Sequence, residues 1–295
     1  MSKAGRTLAQ AKINLALRVL GKQPDGYHSI ETVFLRVDFG DEVRLHIREK
    51  ARTVRCAAMP DHPQAENLAY RAAALFSDET GWPGGFEVEI DKHIPIGGGL
   101  GGGSADAAAV LRILNELSAN PLPTSQLLEL AGKVGSDVPF LASDYPMALA
   151  WGRGEQMTEL PPLPPRDVHL VVPPFAVSTA EAYSTLDRMR GGNHRPPEFT
   201  TEMFKSWQDA AKNSVNDFEN VVRDRFQQHG LSGLFEARGG RGALFVRMTG
   251  SGSTVFIIEE STMRTSGPAL AGLSRGAKII TTRTATSVVP VEVLD

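Results

Sequence analysis

The chain is nearly without cysteine: Cys56 is the only one in 295 residues. A single thiol excludes an internal disulfide and fits a reducing compartment, where Cys56 reads as a small, half-buried strand residue. An excess of charge of one sign is missing as well. Lysine and arginine total 31 against 34 aspartates and glutamates, a net charge of −3. That balance gives no reason to expect nucleic acid or an anionic membrane as a partner. Long apolar runs are absent too: nothing approaches the ~20 residues that cross a bilayer, and Met1 to Gln10 holds no apolar signal core. The seven histidines show no ligand spacing, which argues against a protein-held metal site. The expectation is a soluble, cytoplasmic chain, long and apolar enough for one large or two medium domains.

What the chain has in local excess is glycine. Pro95-Ile96-Gly97-Gly98-Gly99-Leu100-Gly101-Gly102-Gly103-Ser104-Ala105 places six glycines in seven positions. Such a run gives a core no side chains and costs backbone entropy, so it serves close backbone approach or left-handed conformations. Upstream, Phe86, Val88 and Ile90 alternate with acidic residues as a half-buried strand does. Downstream, Ala107, Val110, Leu111, Leu114 and Leu117 recur at helical spacing, with Ser104 in place to cap the helix. Strand, glycine loop and helix start present N–H groups and a positive dipole end to phosphate. The dinucleotide fingerprint fits Gly97, Gly99 and Gly102, but in so glycine-rich a run the match is nearly automatic, and the strand before it is late and alternating. The nucleoside-triphosphatase loop fails, because no lysine precedes Ser104.

Elsewhere the pattern is mixed α+β in two lobes, divided at the proline cluster Pro161 to Pro165 into residues 1–160 and 161–295. Ala11 to Leu20 reads as a strand with Lys12 and Asn14 on its outer face, followed by the turn Pro24-Asp25-Gly26 and then Tyr27-His28. Strands are expected at 33–37, 43–47, 168–172 and 255–258. Helices are expected at 66–77, from a Thr124 cap to Val134, at 203–212 and 217–228, and once more near the end, before a last strand. Gly135 to Phe140 reads as a loop around Asp137, and Met248 to Thr254 as a second glycine-serine turn. By itself Lys12 is a solvated strand lysine and Asp137 an ordinary turn aspartate. Beside a phosphate cradle the pair suits phosphoryl transfer, which needs a base at the acceptor hydroxyl and a cation against developing charge. Tyr27 and His28 are either surface decoration or an aromatic platform with a polar reader for a flat ring.

Three segments together resemble the superfamily of galactokinase, homoserine kinase, mevalonate kinase and phosphomevalonate kinase: the lysine-bearing first strand, the Pro95–Ala105 loop and the Met248–Thr254 turn. Ala11-Lys12-Ile13-Asn14-Leu15 and Pro24-Asp25-Gly26-Tyr27-His28 are close to the branch whose acceptor is a cytidine diphosphate-linked methylerythritol of the non-mevalonate isoprenoid route. Gly135 to Phe140, Gly152 to Glu155 and Asn216 to Glu219 are similar to its later landmarks, so the likeness runs from about Ala9 to Ile258. The resemblance implies an N-terminal ATP-binding lobe like a ribosomal-protein domain, a ferredoxin-like C-terminal lobe, and ATP with Mg²⁺ between them. It implies Asp137 as general base for the acceptor's 2-hydroxyl and Lys12 as its orienting cation. Pro95 to Ala105 would wrap the triphosphate, with Ser104 near Mg²⁺ and Asn67 at the adenine. Tyr27, His28 and Tyr183 would recognise cytosine, Asn14 the methylerythritol end, and Gly250-Ser251 would line the cleft. Gln10, Ala105 and Thr249 depart from the family's usual residues without removing a proposed catalytic group. A monomer or a homodimer is compatible with all of this. Competing readings are a homoserine or mevalonate acceptor, a sensor that keeps the cradle but not catalysis, and a dinucleotide oxidoreductase. The Tyr27 turn, the retained Lys12 and Asp137, and the absence of an acidic ribose reader respectively argue against them.

Overall fold

A computed structural model describes residues 3–236, 243–260 and 276–294. Its first half is dominated by two very long strands, β1 (Ala4–Lys22) and β2 (His28–Arg48), paired antiparallel through the Pro24–Gly26 turn. Apolar and β-branched residues run through both with no interior proline, so neither strand is interrupted. The expected strands 33–37 and 43–47 are therefore parts of one element. β2 is long enough to serve two neighbours. Its residues 42–48 pair with β4 (Gly85–Asp91) and its residues 30–35 with β5 (Met147–Gly152). β3 (Arg52–Cys56) lies parallel to β4, and β6 (Gln156–Glu159) extends β5. The last described strand, β11 (Glu292–Leu294), returns to pair with the start of β1 and completes a seven-stranded sheet.

Helices α1 (Leu68–Thr80), α2 (Gly102–Leu117), α3 (Thr124–Val134) and α4 (Val138–Ala142) cover one face of that sheet. Their alanines and leucines meet Ile13, Leu15, Val43, Leu45 and Phe86 in one apolar core. The proline-rich residues 161–165 lead from β6 into a second sheet of order β10–β7–β9–β8. It comprises β7 (Asp167–Val172), β8 (Ala243–Met248), β9 (Val255–Glu259) and β10 (Lys278–Arg283), all antiparallel. α5 (Thr179–Arg190), α6 (Trp207–Asn213), α7 (Glu219–Gln228) and α8 (Gly233–Glu236) belong to this half. A second core joins Val171, Leu186, Phe218, Phe226 and Val255 to Leu17 and Val19 of β1. The two-lobed α+β expectation holds, with one exchange: β11 sits in the first sheet.

Local differences from the sequence reading have local causes. α2 begins at Gly102, because Gly101 takes a left-handed conformation (φ 73°) and turns the chain straight into the helix; Ser104 lies inside it and caps nothing. α3 begins at Thr124 with Pro123 in the capping position, so Thr124 is not the cap. α1 begins at Leu68, where the Asn67 side chain accepts from the Ala69 N–H. Gly135 to Phe140 is no open loop: Asp137 stands at the start of the short helix α4. The expected final helix falls on residues 261–275, outside the described residues.

Candidate active site

The glycine loop between β4 and α2 is held by its carbonyls. Thr254 donates its N–H to Gly98 O (3.1 Å), Thr249 Oγ1 to Gly99 O (3.2 Å), and Lys12 its N–H to Leu100 O (3.1 Å). Three consecutive carbonyls thus face the second lobe and β1. Gly99 has φ 78°, and a Cβ there would lie 2.3 Å from Thr249 O, so only glycine allows this approach. The N–H groups that open α2 precede its first helical hydrogen bond, Ala105 N–H to Gly101 O (2.8 Å), and stand at the positive end of a 16-residue helix.

Lys12 is 3% exposed, not a solvated outer-face lysine. The β1–β2 register shifts between Gln10 and Lys12 and again between Asn14 and Ala16. Such irregularities re-aim side chains, and here they bracket the two polar residues of the strand. Lys12 Nζ donates to Asn14 Oδ1 (2.8 Å) and lies 3.3 Å from Asp137 Oδ2. The Asp137 side chain is 30% exposed, so one end of the pair is sealed and the other opens on the cleft. Asn14 is tied on both sides: Oδ1 also accepts from Gly250 N (2.9 Å) and competes with Gly99 O for the single Thr249 hydroxyl proton (3.1 and 3.2 Å), while one Nδ2–H donates to Thr32 Oγ1 (2.8 Å).

The Asn216 to Glu219 run frames the second turn. Asn216 Nδ2 donates to the carbonyls of Met248 and Gly250 (2.7 and 2.9 Å), and Glu219 Oε1 accepts from Met248 N (3.0 Å). Asp217 accepts from the Val19 N–H (2.7 Å) and pairs with Arg190 and Arg195. Thr179 and Ser251 exchange a hydroxyl bond at 2.9 Å.

At the opposite end, Tyr27 is 55% exposed and carries the Arg153 guanidinium over its ring at 3.8 Å, with Asp25 pairing that arginine at 2.5 Å. His28 stacks on Tyr183 (centroids 4.5 Å apart, planes at 26°) and places Nε2 2.8 Å from Asp187 Oδ1. Tyr183 is in turn edge-on to Phe218. Burial, and after it the negative charge of Asp137, raise the pKa of the Tyr183 hydroxyl above the usual phenol range, so it stays a neutral hydrogen-bonding group.

Behind the glycine loop sits a buried trio. Lys92 Nζ bonds Asp41 Oδ2 (2.5 Å) and Asp106 Oδ2 (2.8 Å), while Asp41 Oδ1 accepts from the His93 and Ile94 N–H groups. Burial pushes the Asp106 carboxyl up to about 7; Lys92 opposes the shift and Asp41 adds to it. Burial alone would lower the Lys92 ammonium, but the two carboxylates outweigh it and raise it. Asp106 Oδ1 is buried without a hydrogen-bond partner.

All of this surrounds one cleft of about 1160 Å³, larger than the ~300–1,000 Å³ typical of one ligand. Lys12, Asn14, Tyr27, His28, Asn67, Pro95 to Ser104, Asp137, Tyr183, Gly250 and Ser251 line it; Ala105 is instead buried in the core. Sequence reasoning missed Asp41, Lys92, Asp106, Arg153 as a ring partner, and Asp187. Their partners lie 14 to 159 positions away, so no local pattern signals them. Among the described residues no group of three or more histidine, cysteine or acidic side chains is placed to hold a metal, and no helix is long and apolar enough to cross a membrane.

A glycine loop at a helix start, a buried lysine paired with an aspartate that opens on the cleft, and a two-lobed fold define a small-molecule kinase of the GHMP class. Residues 67–145 match the family described as GHMP kinases N terminal domain. The 4-diphosphocytidyl-2-C-methyl-D-erythritol kinases of a Geobacter species and of Pelotomaculum thermopropionicum are 41% and 42% identical over 253 and 258 residues, covering 84% of this chain and 87% of each relative. A crystal structure of 4-(cytidine 5'-diphospho)-2C-methyl-D-erythritol kinase superposes with a TM-score of 0.73 at 31% identity, covering 95% of this chain and 99% of that one. Homoserine kinase from Cytophaga hutchinsonii shares the fold at 18% identity and a TM-score of 0.64, with 99% and 97% covered. The chain belongs to the 4-diphosphocytidyl-2-C-methyl-D-erythritol kinase family.

Proposed function

We propose that this kinase transfers the γ-phosphoryl group of ATP to the 2-hydroxyl of 4-diphosphocytidyl-2-C-methyl-D-erythritol, a step of the non-mevalonate isoprenoid route. The observation that carries the reading is the Lys12–Asp137 pair on the same cleft as the glycine loop and the Tyr27–His28 turn. Asp137 takes the hydroxyl proton as the oxygen attacks phosphorus, and the bond from the γ-phosphorus to the bridging oxygen breaks to release ADP. Lys12, 3.3 Å away, orients that carboxylate, and its charge offsets the charge moving across. The α2 N–H groups and the glycine loop hold the phosphates. Asn67, whose Oδ1 accepts from the Ala69 N–H, offers its Nδ2 donors to the adenine ring.

The residues present fit Mg²⁺ carried on the phosphates rather than caged by protein, since Mg²⁺ takes one or two side chains there. Ser104, which lines the cleft in the first turn of α2, would be the side chain to hold it. The ion would neutralise phosphate charge. Tyr27, His28 and Tyr183 form the ring-recognition end, consistent with a cytidylyl group on the acceptor.

Purified protein given ATP and Mg²⁺ with 4-diphosphocytidyl-2-C-methyl-D-erythritol, homoserine or mevalonate tests this. ADP release with the cytidylyl substrate alone is expected; turnover of either small acceptor at a comparable kcat/KM would overturn the acceptor assignment.

A further inference from the structure

The pairing at His28 fixes more than the ring's position. A carboxylate only accepts hydrogen bonds, so the 2.8 Å contact between His28 Nε2 and Asp187 Oδ1 puts the ring proton on Nε2. A neutral imidazole then has a bare lone pair on Nδ1. Among the described residues Nδ1 has no protein partner, and it is not one of the fully buried polar atoms. His28 and Asp187 both line the cleft beside Tyr27 and Tyr183. Turning the ring over would put the Cε1–H in place of Nε2 and lose the bond to Asp187, and the stack on Tyr183 at 4.5 Å fixes the plane of the ring.

We infer that Asp187 is a positioning residue that makes this site select an amino-bearing pyrimidine over an oxo-bearing one, by holding His28 as an acceptor at Nδ1. This rests on the cytidylyl reading above. Cytosine offers an exocyclic amine that donates to Nδ1, whereas uracil offers a carbonyl oxygen that would face a second lone pair. A buried mismatch of that kind discriminates about ten- to a hundred-fold. The stacking rings read only flatness and size and cannot supply the distinction.

Two measurements on the full-length protein test it without requiring turnover. Nitrogen-15 NMR of the histidine rings at pH 8 is expected to show His28 in the Nε2–H form, assigned by its loss in His28→Gln. An Nδ1–H ring or a doubly protonated one overturns the inference. Calorimetric binding of cytidine diphosphate against uridine diphosphate is expected to favour cytidine about ten-fold or more in the wild type. Asp187→Ala is expected to bring the two within about three-fold, with Asp187→Asn in between, because an amide still accepts from Nε2–H. In turnover the Asp187→Ala loss is expected in KM for the cytidylyl substrate rather than in kcat or in KM for ATP. An unchanged diphosphate ratio in Asp187→Ala refutes the role even if the acceptor assignment stands. Conversely, base selection that depends on Asp187 without phosphorylation of the cytidylyl alcohol supports the inference and sinks the proposed activity.

Discussion

Replacing Asp137 with asparagine separates chemistry from architecture in this site. Asp137 stands at the start of α4 but its side chain makes no capping bond, so the substitution costs the helix no cap. The ties that shape the glycine loop, Thr254 to Gly98 O, Thr249 to Gly99 O and Lys12 N–H to Leu100 O, do not involve Asp137. What is lost is the base and the anion 3.3 Å from Lys12 Nζ. At an effective dielectric of about 20 that separation corresponds to a Coulomb attraction near 5 kcal/mol. Water reaches the carboxylate and burial of the ammonium offsets part of the rest, so the net effect on stability is nearer 1 kcal/mol. A positioned base is worth roughly 10²–10⁴-fold, or about 3–5 kcal/mol of barrier. The expected result of Asp137→Asn is therefore a fall in kcat of that size, with the calorimetric Kd for ATP within about three-fold of wild type and a small drop in Tm. A kcat within a factor of three of wild type would refute Asp137 as the base. A loss of ATP affinity in proportion to kcat would show that the pair shapes the nucleotide site instead.

Three further outcomes follow from named contacts. Gly99→Ala sets a Cβ 2.3 Å from Thr249 O in a left-handed backbone, whereas Gly97→Ala meets only the Ala176 Cβ at 3.5 Å. Both incur the ~1–2 kcal/mol left-handed cost, so KM for ATP and Tm should suffer more in Gly99→Ala; equal losses would refute the close-approach argument. Asp106 in the folded chain holds its proton up to about 7, above the ordinary aspartate value of 3.8. Between about pH 4 and 7 the folded state therefore binds more protons than the unfolded one, and the site's contribution to stability falls as pH rises through that window. Asp106→Asn removes the penalty and is expected to raise Tm relative to wild type at pH 8 but hardly at pH 4; the opposite trend in thermal melts would show that Asp106 is held as a carboxylate. Tyr27→Ala, which removes the ring beneath Arg153, is expected to raise KM for the cytidylyl substrate roughly ten-fold, the value of a stacked ring of about 1–1.5 kcal/mol; an unchanged KM would remove Tyr27 from the acceptor site.

The residue order alone determined the class of site and much of the frame. The glycine run between an alternating strand and a helical repeat is legible because its cause is local: backbone torsion, N–H groups and a dipole end all depend on consecutive residues. The first strand, the Pro24–Gly26 turn and the helices of the first half are legible for the same reason, since periodicity of 2 or 3.6 is a property of neighbours in the chain. Helix starts were misplaced at Ser104 and Thr124, where a left-handed glycine and a proline set the boundary instead of a hydroxyl. Only the tertiary structure could bring Lys12 to Asp137 across 125 positions, bury what reads as a surface lysine, or join Lys92 to Asp41 and Asp106. It alone set Asp187 against His28, 159 positions earlier. Such pairs leave no trace in spacing, because the side chains that bury or charge a group are chosen by how the two sheets and their helices close on one another, not by what precedes or follows it in the chain.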